Sequence, residues 1–244
     1  MANQISSLKD RKIILLGGSS GLGLATAKAA AAEGANVVIV SGNLQRINAA
    51  LLELPRGSAG HAIDLSKEEN IKAFFEKEGD FDHLVYTAGE NLHLSGIGDT
   101  EIDKARSFFT LRFWGAFAAA KYGAPHINRG GSINLTSGIA SMRPGKGWAL
   151  ASSICGAMEG FVRAAAVELA PIRVNSVVPG VVKTNLWSNM TEDDRENLYK
   201  TVGDSLLVKR VGEAEDIARA FLYLMKQRFG TGQNIVIDGG MVLV

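Results

Sequence analysis

The sequence has little cysteine, little proline and almost no net charge. Its one cysteine, Cys155, excludes an intramolecular disulfide and a cysteine-rich metal cluster, so we expect a cytoplasmic protein without a metal centre. Lysine and arginine number 26 against 25 acidic residues, a net charge of +1. We therefore expect no basic surface that would bind nucleic acid or an anionic membrane. The chain shows no run of about 18 apolar residues and no signal-peptide pattern, which predicts neither a membrane span nor export.

Glycine is the abundant exception. The chain has 28 glycines in 244 residues but only 5 prolines, and 46% of its residues are hydrophobic. Glycine at about 11%, against the ~7% of average proteins, indicates many tight turns or backbone surfaces that approach a ligand. The length and the hydrophobic fraction predict a single folded domain over residues 1–244.

Short apolar runs alternate with alanine-rich segments along the whole chain. This pattern predicts seven parallel strands covered by helices on both faces, a single-domain doubly wound α/β fold. The predicted strands are 12–16, 36–40, 61–63, 83–86, 132–136, 172–178 and 234–237, and the longest predicted helices are 101–122 and 149–169. The polar stretch 183–208 interrupts the alternation, and we expect it to form a lid over the substrate side.

The first strand is followed directly by a glycine-rich turn. Gly17, Gly21 and Gly23 are spaced G-x-x-x-G-x-G and open the next helix. A diphosphate bound at a helix N-terminus needs such a turn, because the backbone must approach the ligand without obstruction from Cβ atoms. Ser19 and Ser20 add hydroxyl donors. The turn therefore predicts a dinucleotide site, the alternative being a strand–helix turn without a ligand.

Four further motifs in the same order along the chain resemble those of the short-chain dehydrogenases/reductases. They are Asp64-Leu65, Ala88-Gly89, Pro179-Gly180 with Thr184, and Thr231–Gln233 with Asp238–Gly240. The resemblance implies a Rossmann fold with strand order 3-2-1-4-5-6-7, and homodimers or homotetramers formed through the helices 101–122 and 149–169. It also implies cofactor contacts at Gly17, Ser19, Ser20, Gly21, Leu22, Gly23, Asp64, Leu65, Ala88, Gly89, Pro179, Gly180, Val182 and Thr184.

The end of the second strand favours NADP(H) over NAD(H). NAD-binding members of such folds carry an acid there that holds the ribose 2′-hydroxyl. This chain has Ser41, Gly42 and Asn43 instead, and Arg46 follows closely enough to pair with a 2′-phosphate. We therefore assign Asn43 and Arg46 to the cofactor site, although Arg46 would also suit the solvated face of the next helix.

The catalytic residues depart from the family. The resemblance implies an active site with a Tyr-x-x-x-Lys pair, yet none of the four tyrosines is followed four residues later by lysine. The matching helix places Ala151 and Cys155 at those two positions. The family's serine falls on Ser137 or Gly138, depending on a one-residue choice of register, and its fourth-helix asparagine falls on Arg112.

Other residues are candidates for the missing roles. Arg112 and Ser137 are our candidates for polarising a substrate, and His93, with Glu90 beside it, is our candidate for moving a proton. Two tryptophans, Trp148 and Trp187, flank the expected mouth and would contact a flat, apolar, small-molecule substrate.

Three functions remain open from the sequence. The first is an NADP(H)-dependent oxidoreductase that transfers hydride to or from a small, fairly apolar carbonyl, imine or alcohol with a non-standard active site. The second is a non-redox isomerase or cyclase that keeps the dinucleotide as a scaffold. The third is a catalytically inactive dinucleotide-binding sensor or subunit. The fold does not choose among them, because one fold supports many chemistries.

Overall fold

A computed structural model describes residues 7–92 and 94–244, so His93, a predicted catalytic residue, lies outside the described residues. Seven parallel strands form one sheet in the order β3-β2-β1-β4-β5-β6-β7, which confirms the predicted fold class. The strands are β1 (Lys12–Leu16), β2 (Asn36–Ser41), β3 (Ala59–Ala62), β4 (Phe81–Tyr86), β5 (Ile127–Thr136), β6 (Arg173–Pro179) and β7 (Asn234–Ile237).

Helices cover both faces of this sheet. They are α1 (Gly21–Ala32), α2 (Leu44–Leu52), α3 (Glu68–Glu78), α4 (Ile102–Phe109), α5 (Gly115–Gly123), α6 (Ala149–Glu168), α7 (Glu192–Ser205) and α8 (Ala214–Lys226). Alternate side chains of the central strands enter two separate cores. In β1, Ile14 and Leu16 face the core beneath α5 and α6, whereas Ile13 and Leu15 face the core beneath α1 and α8. Burial on both faces explains why residues 13–16 of β1 and 37–40 of β2 are apolar without alternation.

The predicted continuous helix over 101–122 is wrong in one respect. A π-helical turn, Thr110–Trp114, separates α4 from α5. In this turn the amide of Gly115 donates to the carbonyl of Thr110, five residues back, instead of to that of Leu111. No local sequence pattern predicts such a turn, because the Leu111 carbonyl in it accepts a hydrogen bond from the hydroxyl of Tyr86, which lies in β4.

The segment 183–208 contains more structure than a loop. A 3₁₀ turn, Asn185–Trp187, leads into α7, whose first amides are capped by the side chain of Thr191. Beneath the segment, Trp187 and Tyr199 pack with Val181 and Val211 in a small third core. The segment 183–208 therefore packs against the rest of the protein through this small core. Its predicted role as a lid that opens and closes over the substrate stays a prediction.

Helix α6 is long and rich in apolar residues. By length and composition alone it is the one helix of the described chain that could cross a membrane, and 28% of the relevant window is buried within the protein. Met158, Val162 and Ala165 on its inner face pack into the core beneath the sheet. An apolar helix that packs on its own sheet meets the same criterion, so this finding is weak support for a membrane span.

A polar network lies between β4 and β5 in the sheet. The ring nitrogen Nδ1 of His83 lies 2.9 Å from the hydroxyl of Ser132, and the Asn134 amide donates to the same hydroxyl at 2.9 Å. His83 is 5% exposed, and its burial, together with the nearby positive charge of Arg173, lowers its pKa from 6.5 to about 4. The ring is therefore neutral in the folded protein near pH 7.

We expect acid to destabilise the fold through His83. Between pH 6.5 and about 4 the unfolded chain binds a proton that folded His83 does not bind. The stability present above pH 6.5 is thus lost as the pH falls through this window, by about 3 kcal/mol in total. Urea unfolding at a series of pH values measures the loss. His83→Gln should flatten the dependence, whereas His61→Gln, at a half-exposed position, should leave it intact; an unchanged slope in His83→Gln contradicts the assignment.

Candidate active site

One cavity of about 1050 Å³ extends along the carboxyl ends of the central strands. Ligands bind at this edge in doubly wound folds, because the loops there diverge at the point where the strand order reverses. At one end the cavity is lined by the glycine turn and by residues after β2 and β3. At the other end it is lined by residues after β4, β5 and β6 and by the beginning of the segment 183–208.

Two glycines of the turn, Gly17 and Gly23, are packed too closely to carry a side chain. A Cβ on Gly17 would lie 2.5 Å from the amide nitrogen of Ala88, and Gly17 also has a φ of +94°. A Cβ on Gly23 would lie 2.3 Å from the carbonyl oxygen of Gly17. Helix α1 begins at Gly21, so its free amides face the cavity. This cradle fits a dinucleotide diphosphate, because it presents amides and a positive helix end with no side chain in the way.

The far end of the cradle fits an adenosine. Arg46 lines the cavity beside Ser41 and Gly42, and no acid from β2 reaches it. Asp64 also lines the cavity, and two hydrogen bonds from Ser66, at 2.6 Å from the hydroxyl and 2.9 Å from the amide, lower the pKa of its carboxyl. Asp64 is therefore a fixed, ionised hydrogen-bond acceptor.

Arg112 lines the cavity beside the backbone that follows β4. It comes from the middle of the π-helical turn, and its guanidinium lies against Gly89, where a Cβ would be 2.9 Å from Nη1. Its Nη2 donates to the carbonyl of Glu90, and its Cζ lies 4.9 Å from the ring centre of Phe108. The Glu90 carboxylate is 4.0 Å from Nε, too far for a hydrogen bond.

The Nε atom of Arg112 is buried and has no hydrogen-bond partner among residues 7–92 and 94–244. Burial lowers the pKa of Arg112, and the negative charge of Glu90 partly offsets this effect. A guanidinium nevertheless stays charged at physiological pH. A buried donor without a partner costs free energy, and the part of the guanidinium that lines the cavity stays open to an acceptor atom of a ligand.

The predicted counterparts of the family's tyrosine and lysine line the same cavity. Ala151 offers only a methyl group there, and Cys155 a thiol whose pKa is raised by burial. The hydroxyl of Ser137 lies 3.2 Å from the Cys155 carbonyl and 3.4 Å from the Glu159 carboxylate. A Cβ on Gly138 would be 3.2 Å from the Cys155 sulfur. These groups form a small, weakly polar wall opposite Arg112.

The outer part of the cavity is mainly apolar. Trp148 and Trp187 both line it, as predicted, and the Trp187 indole donates to the carbonyl of Val182 at 3.0 Å. This bond satisfies the only polar atom of the Trp187 side chain and leaves its ring for packing. Arg143 donates to the carbonyl of Met241, which connects the loop after β5 to the end of the chain.

The structure places most of the predicted site residues around this cavity. Those that line it are Gly17, Ser19, Ser20, Gly21, Leu22, Arg46, Asp64, Leu65, Ala88, Gly89, Arg112, Ser137, Trp148, Pro179, Gly180, Val182, Thr184 and Trp187. Gly23 packs behind the turn, and Asn43 lies outside the lining because its side chain caps α2 by accepting from the Arg46 amide at 2.8 Å.

Sequence reasoning missed several apolar lining residues. Leu92, Leu111, Ile139 and Met241 all line the cavity. Leu92 and Ile139 follow β4 and β5 closely, so their place after strand ends was an available signal, whereas nothing in the sequence connects Met241 to the site. In the described ranges, no group of three or more His, Cys, Asp or Glu side chains is arranged to hold a metal ion.

Comparisons with known proteins agree with this geometry. A family model described as enoyl-(acyl carrier protein) reductase matches residues 17–242. A short-chain dehydrogenase/reductase of Gibberella fujikuroi is 31% identical over 261 residues, which cover 100% of this chain and 98% of the relative.

Solved structures are similar over almost the whole chain. One is a small-chain dehydrogenase in complex with NADPH, with 34% identity, a TM-score of 0.82, and coverage of 97% of this chain and 100% of that chain. Another is the MalC reductase/Diels-Alderase of Malbranchea aurantiaca, with 27% identity, a TM-score of 0.90, and coverage of 97% and 98%. The chain therefore belongs to the short-chain dehydrogenase/reductase family of nicotinamide-dependent oxidoreductases.

Proposed function

We propose that this protein is an NADP(H)-dependent oxidoreductase with Arg112 in place of the family's Tyr-x-x-x-Lys pair. Its substrate is a small, fairly apolar carbonyl, imine or alcohol. One observation carries the proposal: a single cavity joins the glycine cradle to a guanidinium whose buried Nε has no partner in the described chain. When bound, the nicotinamide supplies or accepts the hydride.

The preference for NADP(H) is supported by charge. Because no acid from β2 lines the cavity and Arg46 does, a ribose 2′-phosphate would meet a cation instead of a carboxylate. A dehydrogenase of similar structure has been solved in complex with NADPH, so a protein of this fold binds that cofactor.

Arg112 acts on the substrate as a fixed positive charge. An oxygen atom of the substrate accepts a hydrogen bond from the guanidinium where it lines the cavity, and the charge stabilises the negative charge that develops on that oxygen when hydride arrives. The effect is strong because the Arg112 side chain is only 21% exposed, so water screens it weakly. Arginine is too weak an acid to supply the proton itself.

A carboxyl group beside Arg112 is available to move the proton. Glu90 lines the cavity, and its side chain is 46% exposed, so it reaches both solvent and the neighbourhood of Arg112. We assign it the exchange of a proton between water and the substrate oxygen. The Cys155 thiol does not take this role, because burial raises its pKa and makes it a poorer proton donor.

A second function is supported by one comparison. The solved relative MalC is described as both a reductase and a Diels-Alderase, so a closely similar fold carries a non-redox activity. An apolar cavity with one buried cation also suits a cyclisation or isomerisation in which the dinucleotide is a scaffold. A catalytically inactive sensor would bind the cofactor and convert nothing.

The outer faces of α5 and α6 support the proposal of a homodimer or homotetramer. Trp114 and Phe117 are 57% and 41% exposed, and Val167 on α6 is 78% exposed. Phe117 also stacks on Phe161 of α6, with ring centres 4.9 Å apart, so the aromatic surface is continuous across the two helices. An exposed apolar patch of this kind is typical of a protein–protein contact.

The oligomer can be tested by changing one residue of this surface. Val167→Glu should convert the native oligomer to a monomer, because it places a charge within the proposed contact between protomers. Analytical ultracentrifugation measures the mass in solution. Leu52→Glu, at an 89% exposed position on α2, serves as the control and should not change it. A monomeric parent protein contradicts the proposal.

Cofactor choice can be tested by fluorescence titration. NADPH should bind more tightly than NADH, and Arg46→Ala should weaken NADPH binding about 10- to 100-fold, the loss of one charge-assisted hydrogen bond, while NADH binding stays unchanged. Arg56→Ala, at an exposed position outside the cavity lining, is the matched control. Tighter binding of NADH by the parent protein would falsify the assignment.

Hydride transfer can be tested with a panel of ketones, aldehydes, imines and enones, with NADPH consumption as the signal. On a substrate so identified, Arg112→Ala should lower kcat about 100- to 1000-fold, as expected for a lost oxyanion donor, with NADPH affinity unchanged. Arg106→Ala, six residues earlier on α4 and exposed, should have no effect. Full turnover by Arg112→Ala contradicts the catalytic role.

The same panel separates the other functions. Products formed without NADPH consumption would select the isomerase or cyclase. Tight NADPH binding with no conversion of any compound would favour the sensor.

A further inference from the structure

The π-helical turn that carries Arg112 is held by a side chain from the sheet. In an unbroken α-helix the Gly115 amide would donate to Leu111, four residues back. Here it donates to Thr110, and the Leu111 carbonyl accepts the Tyr86 hydroxyl at an O···O distance of 2.5 Å. Tyr86 is the last residue of β4, so this bond connects the helix directly to the central sheet.

The absence of a side chain at Gly115 leaves the space that the Tyr86 hydroxyl occupies. A Cβ on Gly115 would lie 2.3 Å from the Tyr86 oxygen, so any other residue there would displace it. Tyr86 itself is 2% exposed. Burial raises the pKa of its hydroxyl above the ordinary value, and the negative charge of Glu90 also raises it. The hydroxyl therefore remains protonated and keeps donating throughout the physiological pH range.

The direction of Arg112 depends on this turn. A π turn inserts one extra residue into a helical repeat, so it rotates the side chains within it relative to the preceding helix. Arg112 follows Leu111 directly, and its guanidinium extends back over Phe108 to the backbone at Gly89 and Glu90. An ordinary α-helical register would move the guanidinium away from this position.

We propose that Tyr86 is a positioning residue, whose hydroxyl stabilises the π turn at Leu111 and thereby holds the Arg112 guanidinium in the cavity. The geometric part stands on the structure of the turn alone. Its consequence for turnover rests on the function proposed above for Arg112.

The first test removes only the hydroxyl. In Tyr86→Phe the Leu111 carbonyl loses its partner, and the Gly115 amide can return to it. We expect the Nε–Hε signal of Arg112 in ¹⁵N NMR spectra to shift or broaden, and the peptide around Thr110–Trp114 to change its rate of amide hydrogen exchange. Tyr122→Phe is the matched control, because its hydroxyl bonds to exposed Glu68 on the outer surface; it should leave both signals unchanged.

A second variant disrupts the hydrogen bond between Tyr86 and Leu111 by a substitution in the helix instead of in the sheet. Gly115→Ala should displace the Tyr86 hydroxyl and reproduce the Arg112 shift, whereas Gly160→Ala, where an added Cβ meets nothing within 4 Å, should not. Combined with Tyr86→Phe, Gly115→Ala should add little further change in the Arg112 signal, because both variants break one bond.

The outcomes separate this proposal from the catalytic one. An unchanged Arg112 signal in folded Tyr86→Phe, or in folded Gly115→Ala, overturns the positioning role. An Arg112 shift in both variants supports it even if Arg112→Ala retains full turnover, a result that would overturn only the catalytic role of Arg112. Once a substrate is identified, Tyr86→Phe should lower kcat while the Kd for NADPH, measured by fluorescence, stays within about twofold of the parent value.

Discussion

The close approach of the glycine turn to the end of β4 is the contact on which the site depends. Gly17 lies so near Ala88 that a side chain cannot be placed between them, and the Thr87 hydroxyl donates to the Gly17 carbonyl at 3.2 Å. This packing brings the first amides of α1 and the backbone after β4 to the same edge of the sheet. The phosphate cradle and the reaction centre therefore belong to one continuous cavity.

A second constraint is the burial of a single cation in that cavity. Arg112 loses hydration there and is only partly compensated by the carbonyl and the carboxylate of Glu90. Proteins seldom keep a charge in this condition without a functional reason, because an incompletely paired buried charge destabilises the fold. The sheet supports the arrangement through the hydrogen bond from the Tyr86 hydroxyl to the Leu111 carbonyl.

Much of the cofactor end could be predicted from the sequence, because its motifs are local. Gly17, Gly21, Asp64 and Gly180 follow strand ends within five residues, and the parallel sheet necessarily brings those ends together. Asn43 shows the limit of this reasoning: its position fits a cofactor contact, yet its side chain caps α2 instead. Competing uses of a polar side chain are decided by backbone geometry that the sequence pattern does not contain.

The sequence by itself determined the fold class, from hydrophobic periodicity, and the family, from motifs a few residues long; the strand order was what the resemblance to that family implied. It also showed that no tyrosine precedes a lysine by four residues, and it singled out Arg112. Only the tertiary structure decided where Arg112 lies. The π turn arises because a hydroxyl from β4, 25 residues earlier, competes with the Gly115 amide for one carbonyl, and contacts of that range have no signature in local sequence.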